Sequence, residues 1–114
     1  MTDKNCLFCK IISGETVSKP VFSNERIVAF YDINPQAPIH ILICPVLHIP
    51  SLAQAGDQDG ALLGEIQLIA RDLAKKLGLE GFRLVLNNGR IAGQSVDHIH
   101  YHLLGGRRLT WPPG

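Results

Sequence analysis

The chain has no strong excess of charge, since eleven Lys and Arg stand against ten Asp and Glu, scattered rather than clustered. It therefore lacks the basic stripe that duplex nucleic acid demands, although a small anionic ligand remains compatible. It has no apolar run approaching the roughly 20 residues that span a bilayer, and its start, Met1 to Cys6, lacks the apolar centre of a secretory signal. A cytoplasmic protein with no membrane partner is the expectation. Cysteine is sparse and odd in number, with Cys6, Cys9 and Cys44 only. That count argues against a disulfide framework and leaves Cys6-Leu7-Phe8-Cys9 as a metal or redox pair, with Cys44 inside an apolar run as core. Nothing repeats at a fixed period, and 114 residues suit one domain, 1–114, with a buried core but little room for a second.

The elements follow from periodicity. Apolar positions from Cys6 to Ser13 predict a short helix with Phe8, Ile11 and Ile12 on its inner face, ended by Gly14. Val21 to Ser23 and Ile27 to Tyr31 are β-rich and flank the turn-forming Asn24-Glu25-Arg26, which predicts a hairpin. The prolines in Asp32 to Pro38 predict a loop, and His40 to Pro45 a central strand. Leu62, Ile66, Ile69, Leu73 and Leu77 recur at helical steps, so a long amphipathic helix is expected there. Asp57 or Asp59 is placed to cap its start, Asp72 and Lys76 to pair along its outer face, and Gly78 to close its end. Phe82 to Leu86 and Val96 to Leu104 predict two further strands around a turn-rich loop, Asn87 to Gly93. This order suits an α+β domain with a helix packed on an antiparallel sheet. The tail through Trp111-Pro112-Pro113 cannot continue a sheet interior, so Trp111 either docks on the body or meets a partner.

What is abundant is histidine in one place. His98, His100 and His102 alternate with Ile99, Tyr101 and Leu103 in a run that ends at Gly105-Gly106. On a strand such residues project from one face. Three imidazoles there suit a shared metal ion, or nucleophilic and proton-transfer chemistry on a phosphate, or a merely polar surface. Gly93-Gln94-Ser95 and Asn87 lie beside them and offer backbone and side-chain donors for an anion. Cys6 and Cys9 supply two thiols on neighbouring turns and need two more ligands to close a tetrahedral site. His40 and His48 flank the third strand, within reach of either cluster.

His98-Ile99-His100-Tyr101-His102-Leu103-Leu104 resembles the H-φ-H-φ-H-φ-φ signature of the histidine triad superfamily. The likeness extends to Phe8 to Ile12, Phe30 to Pro38, Gly93-Gln94-Ser95, Gly105-Gly106-Arg107 and Trp111 to Gly114, in which the chain resembles the Hint branch, the purine nucleoside phosphoramidases. That resemblance implies a five-stranded antiparallel sheet with one long and one short helix. It also implies a homodimer that continues the sheet to ten strands, with tail 107–114 approaching the partner. It implies hydrolysis of purine nucleoside 5′-phosphoramidates through a nucleotidyl intermediate on His100, tautomer-fixed by the His98 carbonyl. His102 donates to phosphate, Ser95 protonates the leaving amine and His40 joins the proton relay. Asn87, Gly93, Gln94 and Ser95 contribute donors to the phosphoryl group, Asp32 accepts from the ribose, and Leu7, Phe8, Ile11, Phe30, Tyr31, Ile33 and Asn34 surround the base. Relatives that bear zinc combine a Cys-x-x-Cys with an upstream histidine and the first triad histidine. The chain keeps all four, so structural zinc on Cys6, Cys9, His48 and His98 is expected, with no organic cofactor. The competing expectations are one catalytic ion shared by all three triad histidines, and a nucleotide-binding regulatory module with incidental hydrolysis.

Overall fold

The computed structural model describes residues 3–114; Met1 and Thr2, part of the start read above for a signal, lie outside them. In chain order the elements are α1 (Leu7–Ile12), β1 (Pro20–Ser23), β2 (Ile27–Tyr31), β3 (Ile39–Pro45), α2 (Gly60–Lys76), β4 (Phe82–Leu86) and β5 (Tyr101–Gly105). The strands form one antiparallel sheet in the order β1-β2-β3-β5-β4. As expected, β3 is central, and the alternation in Ile39–Pro45 feeds both faces. Ile41 and Ile43 join Ile27, Ala29, Tyr101 and Leu103 under the Ile66, Ile69, Ala70 and Leu73 stripe of α2. Leu42 and Cys44 turn the other way and join Phe30 under Phe8 and the cysteines of α1. The broad face is thus closed by a 17-residue helix, while the opposite face is only partly covered by a six-residue one. That leaves space beside α1 for a ligand.

Local chemistry explains the boundaries. Cys6 caps α1 with its sulfur, which accepts from the Cys9 N–H at 3.4 Å. In the β1–β2 turn the Asn24 carboxamide accepts from the Arg26 and Ile27 N–H groups, both at 2.8 Å. Gly78, at φ +69°, follows α2 and the Leu79 N–H returns to the Ala74 carbonyl, the left-handed ending anticipated from sequence. Two helix details differ from expectation. A 3-10 turn, Asp57–Asp59, precedes α2, and the Asp59 carboxylate accepts from the Gly56 N–H at 2.9 Å instead of capping the helix. Asp72 pairs with its neighbour Arg71 rather than with Lys76.

The last strand is shorter than its sequence suggests. Its ladder runs only over Tyr101–Gly105, because β3 ends its pairing at Ile43↔Tyr101 and β4 at Leu86↔Tyr101. His98 and His100 therefore precede the strand, and only His102 lies within it. The glycine pair ends β5 for steric reasons: a Cβ on Gly105 would meet Leu79 at 2.7 Å, and Gly106 sits at φ +92°. Beyond it, Arg83 donates to the Thr110 carbonyl at 3.0 Å, holding the tail on β4 while Trp111 remains 80% exposed. Among the described residues no helix is long and apolar enough to cross a membrane.

Candidate functional site

Two clusters of side chains sit on the α1 face of the sheet. In the first, Cys6, Cys9, His48 and His98 direct one donor atom each to a common point. His48 Nδ1 and His98 Nδ1 are 3.1 Å apart, and Cys6 Sγ–His98 Nδ1, Cys9 Sγ–His48 Nδ1 and Cys9 Sγ–His98 Nδ1 are separated by 3.4 to 3.5 Å. A tetrahedral zinc with ordinary bond lengths places N and S ligands about 3.3 to 3.6 Å from one another. The donor chemistry fits as well. His98 Nε2–H donates to the Pro45 carbonyl at 2.7 Å, which leaves Nδ1 with a lone pair. His48 turns Nε2 toward Asp3 at 3.7 Å. Each sulfur accepts a backbone N–H, Cys6 from Cys9 and Cys9 from Asp3, both at 3.4 Å, as thiolates do. Burial pushes the Cys6 thiol up, so its ionisation needs a compensating positive charge, and a dication at the centre supplies it. The set is closed, offering no open position for substrate water.

The second cluster contains Asp32, His40, His100 and His102. Here the tautomers can be assigned in sequence. The Gln36 backbone N–H donates to His40 Nδ1 at 3.0 Å, so His40 carries its proton on Nε2. That Nε2–H donates to His102 Nδ1 at 2.9 Å, with Asp32 Oδ2 at 3.4 Å alongside. His102 is thereby left with its own proton on Nε2. His100 has the reverse arrangement, donating Nδ1–H to the His98 carbonyl at 2.7 Å and leaving a lone pair on Nε2. Desolvation lowers all three imidazoles below their usual value, His102 to about 4, where the neighbouring His100 and His40 add to the effect. Near neutral pH each is uncharged, and each has one definite donor and one definite acceptor.

His100 and His102 form one end of a cavity of about 260 Å³. Ten expected ligand-binding residues line it: Leu7, Phe8, Ile11, Phe30, Tyr31, Asp32, Ile33 and Ser95 together with the two histidines. Phe8 stands edge-on to both Phe30 and His100, with ring centres 5.5 and 4.8 Å apart, which fixes the His100 ring against the wall. Leu7 and Ile33 are 45% and 95% exposed, apolar walls with nothing against them. Four expected residues stand elsewhere. Asn34 donates its N–H to Asp32 Oδ1 at 2.9 Å and so shapes the loop that presents the carboxylate. Gln94 corrects the expectation of a phosphate-facing side chain: it is 3% exposed, accepts from Gly89 N–H, and donates to the Pro50 and Val96 carbonyls. Its hydrogen-bonding groups are used within the loop and on Pro50, because a buried amide must be satisfied. Gly93, at φ +101°, makes the bend that places Ser95, and the Asn87 amide lies beside it. Arg90 braces the same loop by donating to the Ser95 and Gln94 carbonyls.

Sequence reasoning missed Thr16, Val17, Ser18, Leu42 and Val96, which also line the cavity. Leu42 and Val96 were legible only as strand positions. Thr16, Val17 and Ser18 lie in a segment with no periodic signal, so only their tertiary placement reveals them. A metal shared by the three triad histidines does not fit the geometry: His98 Nδ1 faces the cysteines, while the Nδ1 atoms of His100 and His102 engage a carbonyl and His40.

Residues 13–109 match the family model described as the HIT domain. An uncharacterized HIT-like protein from Synechocystis is 46% identical over 97% of this chain and 98% of its own length. A 14 kDa zinc-binding protein from Zea mays is 47% identical over 100% of this chain and 91% of its own. Among solved structures, a HIT family hydrolase from Legionella pneumophila superposes with a TM-score of 0.94 at 52% identity, covering 96% of this chain and 100% of that one.

Proposed function

The chain belongs to the HIT domain family, and on that premise we propose that it is a hydrolase of purine nucleoside 5′-phosphoramidates. The observation that carries this proposal is the opposed tautomers of His100 and His102 at one end of an apolar slot. A lone pair on His100 Nε2 attacks the α-phosphorus, with the Nδ1–H bond to the His98 carbonyl stabilising the positive charge that develops on the ring. His102 Nε2–H donates to a phosphoryl oxygen, assisted by the Ser95 and Asn87 donors. The P–N bond breaks as the P–Nε2 bond forms, and the amine departs with a proton drawn from solvent water through the Ser95 hydroxyl. Water then opens the P–Nε2 bond, releasing nucleoside monophosphate, restoring neutral His100 and returning one proton to solvent. Asp32 accepts from the ribose hydroxyls, and the exposed apolar walls cover the base.

Cys6, Cys9, His48 and His98 hold a structural zinc, which ties α1 to the segment carrying His100 and takes no part in the reaction. The unpaired edge of β4 and the long helix meet a second copy to form a homodimer, toward which the exposed Trp111 tail extends. The reaction is tested with an adenosine phosphoramidate: AMP release and an acid-quenched nucleotide adduct on His100 are expected, with turnover resistant to brief chelation. Turnover without any adduct, abolished by chelation, overturns the covalent route.

A further inference from the structure

Resting on the nucleotide assignment above, we infer that Thr16 and Ser18 read the far edge of the base and set the preference for two-ring over one-ring nucleosides. The sheet register gives the slot its direction. Pro20 pairs with Phe30, Phe30 with Leu42, and Leu42 with His102, so one row of residues crosses β1, β2, β3 and β5. Three strand spacings separate its ends by about 14 Å. His102 and His100 occupy one end, where phosphorus reacts. Asp32, which follows β2, stands near the middle. The segment leading into β1 occupies the other end, anchored where Thr16 N–H donates to the Lys10 carbonyl and Lys19 accepts from Tyr31 N–H.

A nucleotide with its phosphorus at His100 and its ribose at Asp32 must point its base along this row toward β1. The walls there are apolar and supply stacking area without reading edges. Thr16 and Ser18 are half-buried and line the slot on either side of the exposed Val17. Ser13 returns its hydroxyl to the Lys10 carbonyl at 3.1 Å; no such bond within the described chain engages the hydroxyls of Thr16 or Ser18. They are the polar groups at the β1 end, and a base that reaches them gains hydrogen bonds in a half-desolvated site. A purine reaches further along the row than a pyrimidine. Because a hydroxyl both donates and accepts and turns freely, the pair accepts the edge of adenine or of guanine. The recognition is therefore of ring size, with little distinction between the two purines.

The test measures dissociation constants of AMP, GMP and CMP for the full chain and for the double variant T16V/S18A. In the unmodified protein AMP and GMP are expected to bind within a few-fold of each other and both more tightly than CMP. Each lost hydroxyl is expected to weaken purine binding about three- to tenfold and to leave CMP binding unaltered, so the purine-to-pyrimidine ratio collapses. T16S/S18T, which keeps both hydroxyls, is expected to retain the ratio. An unchanged ratio in T16V/S18A, or an equal loss for CMP, overturns the inference and leaves the nucleotide assignment standing. Failure of the unmodified protein to bind any of the three overturns both.

Discussion

Two donor clusters on the same face of the sheet meet the same distance test for a metal, yet they are wired for different chemistry. Cys6, Cys9, His48 and His98 gather their donor atoms within 4.8 Å of one another, and so do Asp32, His40 and His102. The difference lies in the far nitrogen of each ring. His98 gives its other N–H to the Pro45 carbonyl, as a metal-bound imidazole does. His40 receives an N–H from Gln36 at its far nitrogen, so the inward nitrogen must keep a proton and serve as donor. Proximity of ligating atoms thus does not define a metal site; the protonation imposed from outside the cluster does.

The sharpest challenge to this division is His100→Gly, expected to lower turnover of the proposed phosphoramidate substrate by at least about 10⁴-fold while zinc content stays at one per chain. Parallel loss of metal and activity would merge the two clusters into one. Next comes C6S/C9S, expected to lose zinc and to melt at least about 10 °C lower, because binding energy at a closed site is folding energy. Prolonged chelation of the parent chain should reproduce that shift and should leave the variant's melting temperature unmoved. His40→Ala tests the proton side. It removes the donor that fixes His102, so turnover should fall by about 10²-fold with zinc content retained, and a metal-deficient variant would assign His40 to the wrong cluster.

Acid gives the mildest test. His102 is held near 4 in the folded protein by desolvation and by its histidine neighbours, against about 6.5 in an unfolded chain. Folding therefore opposes its protonation. The associated stability is complete above about pH 6.5 and is lost as pH falls toward 4. Urea midpoints taken at pH 7 and pH 5 should differ, and His102→Gln should reduce the difference; an identical difference in the variant would remove His102 from the acid response.

Much of this molecule is legible without coordinates. The stripe Leu62, Ile66, Ile69, Leu73 predicts α2 because its spacing matches one helix face, and Gly78 closes it where a left-handed residue is required. The alternation around Ile41 and Ile43 predicts the central strand, since a strand buried on both faces has few polar positions. The cysteine pair and the histidines are visible as donor types. Where sequence misleads, the cause is a backbone conformation or a contact that residue type does not specify. Asp59 looks like a helix cap, but a preceding 3-10 turn gives its carboxylate to Gly56; Gln94 looks like an anion donor but is consumed by Gly89 and Val96 in its own loop and by the distant Pro50. His98 and His100 look like strand residues, yet the neighbours they would need in a ladder have already diverged.

The sequence by itself determined which chemical groups this protein has and that three imidazoles fall close together, because side-chain identity and spacing along the chain are local properties. Only the tertiary structure decided what each imidazole does. A neutral ring has one proton and two nitrogens, and which nitrogen holds it is set by partners that folding brings together: the Pro45 carbonyl 53 residues from His98, and His40 62 residues from His102.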